Sequence, residues 1–312
     1  MQAAPKILLT GANGFIGSAL ARVLNPKHLN IVGRCLIQSE YNAFFKLDIS
    51  RTVDYSQALE GIDVVIHTAA RVHIMDEKCS DPLTEFRKVN TDGTLNLAQQ
   101  AADSGVKRFI FISSIKVNGE TTFPGMPFRH DNLQAPEDAY ALSKAEAEEG
   151  LKKIALASGM EVVIIRPPLV YGKGVKGNFA AMMSLVKRNI PLPLGAIRNK
   201  RSLVAIDNLI SLIVTCINHP SAANQVFLVS DDSNLSTTEL VEVMAGAIGR
   251  KVMLLPLPFR LINFVAKLTG KSNLVNRLFG SLEVDIQFTK DTLSWSPIIS
   301  VQEAIKKCFV RE

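Results

Sequence analysis

Cysteine is scarce in this chain. The four present, Cys35, Cys79, Cys216 and Cys308, are far apart and form no Cys-x-x-Cys pair or Cys/His ligand cluster. That spacing argues against a zinc site or a disulfide framework, so no metal is expected and a reducing, cytoplasmic setting fits best. No apolar run approaches the ~20 residues that cross a bilayer, and the opening Met1-Gln-Ala-Ala-Pro-Lys-Ile-Leu-Leu-Thr10 enters a strand with no room for a signal segment. Membrane insertion is therefore not expected. Runs of five or more Lys/Arg are missing too, although Lys and Arg outnumber Asp and Glu by 35 to 29. A dispersed charge of +6 argues against nucleic acid and leaves a phosphate-bearing ligand open. There is no internal repeat or low-complexity tract, and with 47% apolar and 21% charged residues the chain has the composition of a folded globular protein.

Short apolar runs alternate with helical stretches over the first two-thirds of the sequence. Strands are predicted at 6–10, 29–32, 44–47, 64–67, 108–112 and 161–166, and helices at 15–24, 55–59, 81–104 and 138–157. A further helix and strand are predicted at 207–218 and 225–229. Strand and helix in alternation specify an α/β fold, a doubly wound parallel sheet of Rossmann type. After Gly172 the texture changes to Gly- and Pro-rich pieces and amphipathic stretches near 237–248 and 259–268. The expected division is a dinucleotide domain over 1–172, with a returning helix and strand at about 204–232, and a smaller carboxyl-terminal lobe over 173–312, interleaved with it. The 259–268 stretch reads as a helix packed on the core in preference to a membrane-surface helix.

The strongest local signal is Gly11-Ala-Asn13-Gly14-Phe15-Ile16-Gly17, which follows a strand and opens a helix. Glycine permits the tight turn and a close approach of backbone to a pyrophosphate, whose charge then meets free N–H groups at the positive end of the helix. The spacing Gly-x-x-Gly-x-x-Gly resembles that of the short-chain dehydrogenase/reductase superfamily, and later residues resemble its extended branch, the epimerase/dehydratase family. This resemblance implies that Asp48-Ile49 meets the adenine, that His67, Ala69, Ala70 and Pro167 line the cofactor, and that Asn90, the family's helix asparagine, is a further cofactor residue. Cofactor choice is read at the end of the second strand, where NAD binders carry an acidic residue. Here Gly33 stands in that place and Arg34 follows, with a guanidinium suited to a 2′-phosphate. NADP(H) is favoured and NAD remains possible.

Tyr140-Ala-Leu-Ser-Lys144 puts a phenol and an ammonium four residues apart on one helical face. An unperturbed phenol is poorly matched to proton transfer at neutral pH, and a neighbouring cation stabilises the phenolate. Upstream, Ser113-Ser114-Ile115-Lys116-Val117-Asn118-Gly119 resembles the segment that supplies the family's serine. Alignment of Val117-Asn118-Gly119 with the family's Val-Tyr-Gly assigns that role to Ser114, with Ser113 structural. The resemblance thus implies Ser114, Tyr140 and Lys144 as catalytic residues, Tyr140 and Lys144 also touching the cofactor.

Arg166-Pro-Pro-Leu-Val-Tyr-Gly172 and Arg201-Ser-Leu-Val-Ala-Ile-Asp-Asn-Leu209 resemble segments of nucleotide-sugar epimerases, dehydratases and reductases. They imply that the second lobe binds substrate, a nucleotide-diphosphate sugar, UDP-linked in the family's manner, with Arg201 on the diphosphate, Asn178 as a further contact and Ser114 at the sugar. The family's 4,6-dehydratases carry Asp and Glu directly after the catalytic hydroxyl residue. Ile115 and Lys116 cannot do that pair's work, so dehydration is not expected. Reduction of a UDP-4-keto-6-deoxy-N-acetylhexosamine at C4, in polysaccharide biosynthesis, is the preferred expectation because of Gly33-Arg34. A UDP-glucose or UDP-N-acetylglucosamine 4-epimerase is the alternative, and a non-catalytic dinucleotide-binding scaffold the outside one. A homodimer through the helices at 81–104 and 138–157 is expected by analogy.

Overall fold

The computed structural model describes residues 4–72, 81–132, 136, 138–188, 190–258, 261–263, 267 and 278–310. Ten strands run in the order β1 (Ile7–Thr10), β2 (Leu29–Gly33), β3 (Ala43–Lys46), β4 (Val64–His67), β5 (Arg108–Ile112), β6 (Glu161–Arg166), β7 (Leu169–Tyr171), β8 (Arg201–Ala205), β9 (Val226–Leu228) and β10 (Asn234–Leu235). Seven form one parallel sheet, ordered β3-β2-β1-β4-β5-β6-β9. β1 pairs on one side with β2, Ile7 opposite Leu29, and on the other with β4, Ile7 opposite Val64. The strand order therefore reverses at β1, and a crevice opens past the carboxyl ends of β1 and β4, where doubly wound sheets bind ligands.

The period-two alternation of strand side chains divides the core between the two faces of the sheet. Leu9, Ile66 and Ile110 pack with Leu20 of α1 (Phe15–Val23) and with Leu209 and Ile213 of the helix Ile206–Asn218. Leu8, Val65 and Phe109 point the other way, onto Leu97, Ala98 and Leu151. Strands covered on both faces are mostly apolar, and β1, β4 and β5 are buried along their whole length, with the polar Thr10, His67 and Arg108 at their ends.

The helix predicted over 81–104 is observed as three continuous pieces: α-helix at Pro82–Phe86, π-helix at Arg87–Gly93, and α-helix again at Thr94–Asp103. The π turn was not foreseen. It carries Asn90 into the interior, and its last residue has no side chain because a Cβ on Gly93 would lie 2.8 Å from Ile49 Cγ2. The helix predicted over 138–157 runs from Ala139 to Ser158. Asp138 caps it by accepting the Ala141 N–H at 2.6 Å, and Gly159 ends it in the left-handed region at φ +78°.

Also unforeseen is a second, three-stranded sheet, β10-β8-β7, in which β7 and β8 are parallel and β10 is antiparallel. Its strands are too short and too irregularly patterned to be read from periodicity. A third buried cluster lies beside it and includes Tyr171, Phe179, Leu203, Val241 and Ile305. Buried Asp231 joins its parts: one oxygen accepts the Tyr171 hydroxyl at 2.7 Å, the other the Ala205 N–H and the Asn208 amide, both at 2.7 Å. Cys79 and most of 259–268 lie outside the described residues. Among the described residues there is no metal-binding cluster and no helix long and apolar enough to cross a membrane.

Candidate active site

The glycine turn lies at the point where the sheet reverses. Gly11 sits at φ +74°, and a Cβ there would stand 2.6 Å from both Ala69 N and Thr68 Oγ1. A Cβ on Gly17 would come within 2.2 Å of the Gly11 carbonyl oxygen. Gly14 donates to that same carbonyl at 2.8 Å, and as the N-cap of α1 it has no side chain to occupy the first amides of the helix. The amide ends at Phe15, Ile16 and Gly17 are thus offered to a ligand anion, and the turn fits a dinucleotide pyrophosphate.

Further predicted cofactor residues lie in or border this turn. Asn13 donates its side-chain amide to the Cys35 carbonyl at 2.9 Å and ties the loop after β2 to the glycine turn. Arg34 is exposed on that loop, and its side chain has no partner among the described residues. After β3, exposed Asp48 accepts the Ile49 N–H at 2.8 Å, and the Tyr55 hydroxyl donates to the Asp48 carbonyl at 2.8 Å. Ala69 and Ala70, half-buried, follow β4 at the crevice.

His67 and Asn90 take different places from those their motifs suggested. The His67 ring is fully buried: Nδ1 is 2.7 Å from Thr10 Oγ1, Nε2 is 2.9 Å from Thr94 Oγ1, and the ring stacks on Phe111. Burial, reinforced by the Lys144 charge, drops its pKa to about 3 and keeps it neutral. With both nitrogens taken, its side chain supports the crevice from beneath and does not line it. Asn90 is equally buried and clamps the Arg71 backbone, accepting its N–H at 2.8 Å and donating to its carbonyl at 3.0 Å. It also donates to Ser143 Oγ at 3.1 Å, which fastens the β4 loop to the Ala139–Ser158 helix.

Ser114, Tyr140 and Lys144 come together past the ends of β5 and β6. Ser114 caps the 3-10 turn Ile115–Val117, its hydroxyl accepting the Lys116 N–H at 3.3 Å, and the buried Pro167 carbonyl holds that turn by accepting the Ile115 N–H at 3.0 Å. Tyr140 is half-buried against the edge of the Phe86 ring. Burial pushes its phenol up to about 12; the Asp138 charge adds to the rise and the Ser114 hydroxyl opposes it. Lys144, 2% exposed, donates to the Ile112 carbonyl at 2.8 Å and lies 4.2 Å over the Phe111 ring. The ammonium is thus pinned to the end of β5, and burial brings its pKa down to about 7 despite the nearby Glu148.

A buried ion pair underlies the set and was missed in the sequence. Arg166, fully buried, meets Glu148 through two nitrogens, Nε at 2.9 Å and Nη2 at 2.5 Å, and donates from Nη1 to Asn118 at 3.0 Å. Ser113 donates to the same Glu148 at 2.5 Å, in keeping with its structural assignment. The available signal was Glu148 four residues beyond Lys144, on the same helical face. Two of the three predicted substrate residues, Arg201 and Asn178, stand on the second sheet's side. Arg201 opens β8 and donates to the Gly280 carbonyl at 2.9 Å, and Asn178 is exposed in the first turn of the helix Gly177–Arg188.

A parallel doubly wound sheet, a side-chain-free glycine turn at its reversal, and a serine, tyrosine and lysine gathered past β5 and β6 define an enzyme of the short-chain dehydrogenase/reductase type that uses a nicotinamide dinucleotide. The chain belongs to the NAD dependent epimerase/dehydratase family, whose model matches residues 7–230. It is 53% identical over 306 residues to a Vibrio cholerae protein described as UDP-glucose 4-epimerase, covering 96% of this chain and 93% of that one. Among solved structures it resembles the NAD complex of a UDP-glucuronic acid 4-epimerase from Bacillus cereus, with a TM-score of 0.77, 21% identity and 96% of each chain covered. It also resembles RMD from Pseudomonas aeruginosa complexed with NADPH, with a TM-score of 0.72, 20% identity and 98% of each chain covered.

Proposed function

We propose that this enzyme inverts a UDP-linked hexose at C4. The observation that carries the reading is the meeting of Ser114 and Tyr140 beside the glycine crevice, and the 53% identical relative described as UDP-glucose 4-epimerase supports it over the reductase expected from the sequence. The segment beyond Gly172 forms the substrate side, with Arg201 on the diphosphate and Asn178 beside it. Ala69, Ala70, Asp48 and Ile49 border the dinucleotide, and Pro167 holds the serine turn against it.

When bound, the dinucleotide supplies a reversible two-electron hydride carrier. Tyr140 removes the proton of the sugar 4-hydroxyl while C4 gives up its hydrogen with both electrons, and Ser114 hydrogen-bonds the oxygen that becomes the carbonyl. Lys144, held by Ile112 and Phe111, stands one helical turn from the phenol, and in its protonated form it favours the ionised form that Tyr140 needs as a base. After the 4-keto sugar turns its other face to the crevice, Tyr140 returns the proton to the C4 oxygen, and C4 would regain its hydrogen from the dinucleotide held at the glycine turn. The sugar leaves inverted and the enzyme unchanged.

One observation favours a second reading, net reduction of a UDP-4-keto sugar with NADPH: β2 ends on Gly33 and not on an acidic residue, and Arg34 is exposed after it with its side chain unpartnered among the described residues. Release and identification of the nucleotide from purified protein, with assays on UDP-glucose, UDP-N-acetylglucosamine and UDP-4-keto sugars, separates the two. Retained NAD with UDP-glucose or UDP-N-acetylglucosamine epimerisation supports inversion. Stoichiometric NADPH oxidation without epimerisation rejects it in favour of reduction.

A further inference from the structure

Beside the serine, tyrosine and lysine lies a group of charges that the reaction as described does not use. Lys116 stands two residues beyond Ser114. Its ammonium, about a third exposed, contacts the Asp138 carboxylate and, at 2.7 Å, that of Glu120. Asp138 is also the N-cap that starts the Tyr140 helix, its second oxygen accepting the Ala141 N–H at 2.6 Å. One side chain therefore joins the serine turn to the first turn of the tyrosine helix.

The surroundings of Tyr140 make this junction electrostatically important. Helix Pro82–Phe86 brings Phe86 to its ring, and the turn after β5 brings the Ser114 hydroxyl. Its own helix carries Asp138 before it and Lys144 after it, and the neighbouring Arg87 and Glu146 are paired with each other. Asp138 is thus the carboxylate that acts on the phenol, and it raises the phenol's affinity for its proton. Most half-exposed ion pairs contribute little. This one differs because its carboxylate caps the helix that carries the proposed proton-transfer residue, two positions ahead of it.

We propose that Lys116 is a positioning residue for Tyr140: by bridging Asp138 and Glu120 it docks the Ser114 turn onto the start of the tyrosine helix and screens the phenol from the Asp138 charge. The proposal rests on Tyr140 moving the substrate proton. It accounts for a cation at a place where the family's dehydratases hold an acid.

Two substitutions should act in opposite directions. Lys116→Met leaves Asp138 charged and unscreened, so the phenol holds its proton more tightly and the acidic limb of the kcat/KM profile moves to higher pH. Asp138→Asn keeps a competent cap, since Asn and Asp cap equally well, and moves the limb to lower pH. Each displacement should be about 0.5–1 pH unit for a partly screened charge at this range. Lys116→Arg should restore the wild-type position. The profiles are measured on UDP-glucose. Independently of turnover, the Tyr140 phenol is titrated by its ultraviolet absorbance in protein saturated with NAD, each variant being compared with the same variant carrying Tyr140→Phe. Opposed shifts support the proposal. Unmoved limbs with a lower kcat, or shifts in one direction only, overturn it. If no nucleotide sugar turns over, the proposed function fails while the absorbance titration still decides the role of Lys116.

Discussion

At the residue scale, the site combines groups whose proton affinities burial has moved in opposite directions. Tyr140 is raised to about 12 and Lys144 lowered to about 7, and a cationic group bound near the phenol would favour its ionised form. Tyr140→Phe should lower kcat about 10²–10⁴-fold and leave dinucleotide affinity nearly unchanged, as checked by turnover and by titration with the cofactor. Arg34→Ala should remove at least about tenfold of any preference for NADPH over NADH, measured as a ratio of dissociation constants, since a charge-assisted bidentate contact exceeds 1.4 kcal/mol. His67 makes a different prediction. Its folded pKa of about 3 lies below the ordinary 6.5, so under acid the unfolded chain takes up a proton that the folded chain refuses. Stability should therefore be full above pH 6.5 and decline between about pH 6.5 and 3, and the His67 ring resonances should not titrate between about pH 8 and 5. The identities of Ser114, Tyr140 and Lys144 were legible from spacing and resemblance. The direction of the Lys144 ammonium was not, because a four-residue spacing specifies a helical face and says nothing of the Ile112 carbonyl contributed by a distant strand.

At the scale of elements, two local devices set the geometry. The β1 to α1 turn works because Gly17 lets the helix start against the Gly11 carbonyl. Gly17→Ala should cost about 1–3 kcal/mol through overpacking and abolish dinucleotide binding, read as a lower urea midpoint and a lost cofactor titration. Beneath the serine turn, the Arg166 and Glu148 pair is fully desolvated. Glu148→Ala would leave Arg166 buried with no counter-ion and should cost about 3–5 kcal/mol in denaturant unfolding. The strands of the large sheet and the bounds of most helices were readable within a residue or two, since buried strands and amphipathic helices differ in period. The π turn at Arg87–Gly93 and strands β7, β8 and β10 were not readable. A single inserted residue leaves the helical pattern almost intact, β7 and β10 have only three and two residues, and β8, Arg201-Ser-Leu-Val-Ala205, shows no alternation of apolar and polar side chains.

At the scale of the whole molecule, buried Asp231 links Tyr171, Ala205 and Asn208, and Asn208 in turn accepts the Ile298 and Ile299 N–H groups at 2.8 and 3.0 Å. One carboxylate thereby couples the end of β7, the start of the helix after β8 and the approach to the last helix. The dimer expected through the helices at 81–104 and 138–157 is tested by light scattering, where a particle of 34.1 kDa, one chain's mass, would remove it. By itself the sequence determined the parallel α/β class and the glycine turn, and it named the candidate reacting side chains, because these rest on local periodicity, on glycine sterics and on short motifs. The tertiary structure alone decided that His67 and Asn90 are buried supports, that Glu148 and Arg166 underlie the serine turn, and that Lys116 is held by two carboxylates. Each of these depends on burial and on partners from remote strands and helices, which no local pattern encodes. The glycine turn itself is shaped by its own residues, but what faces it across the crevice is set by the packing of β4, β5 and β6.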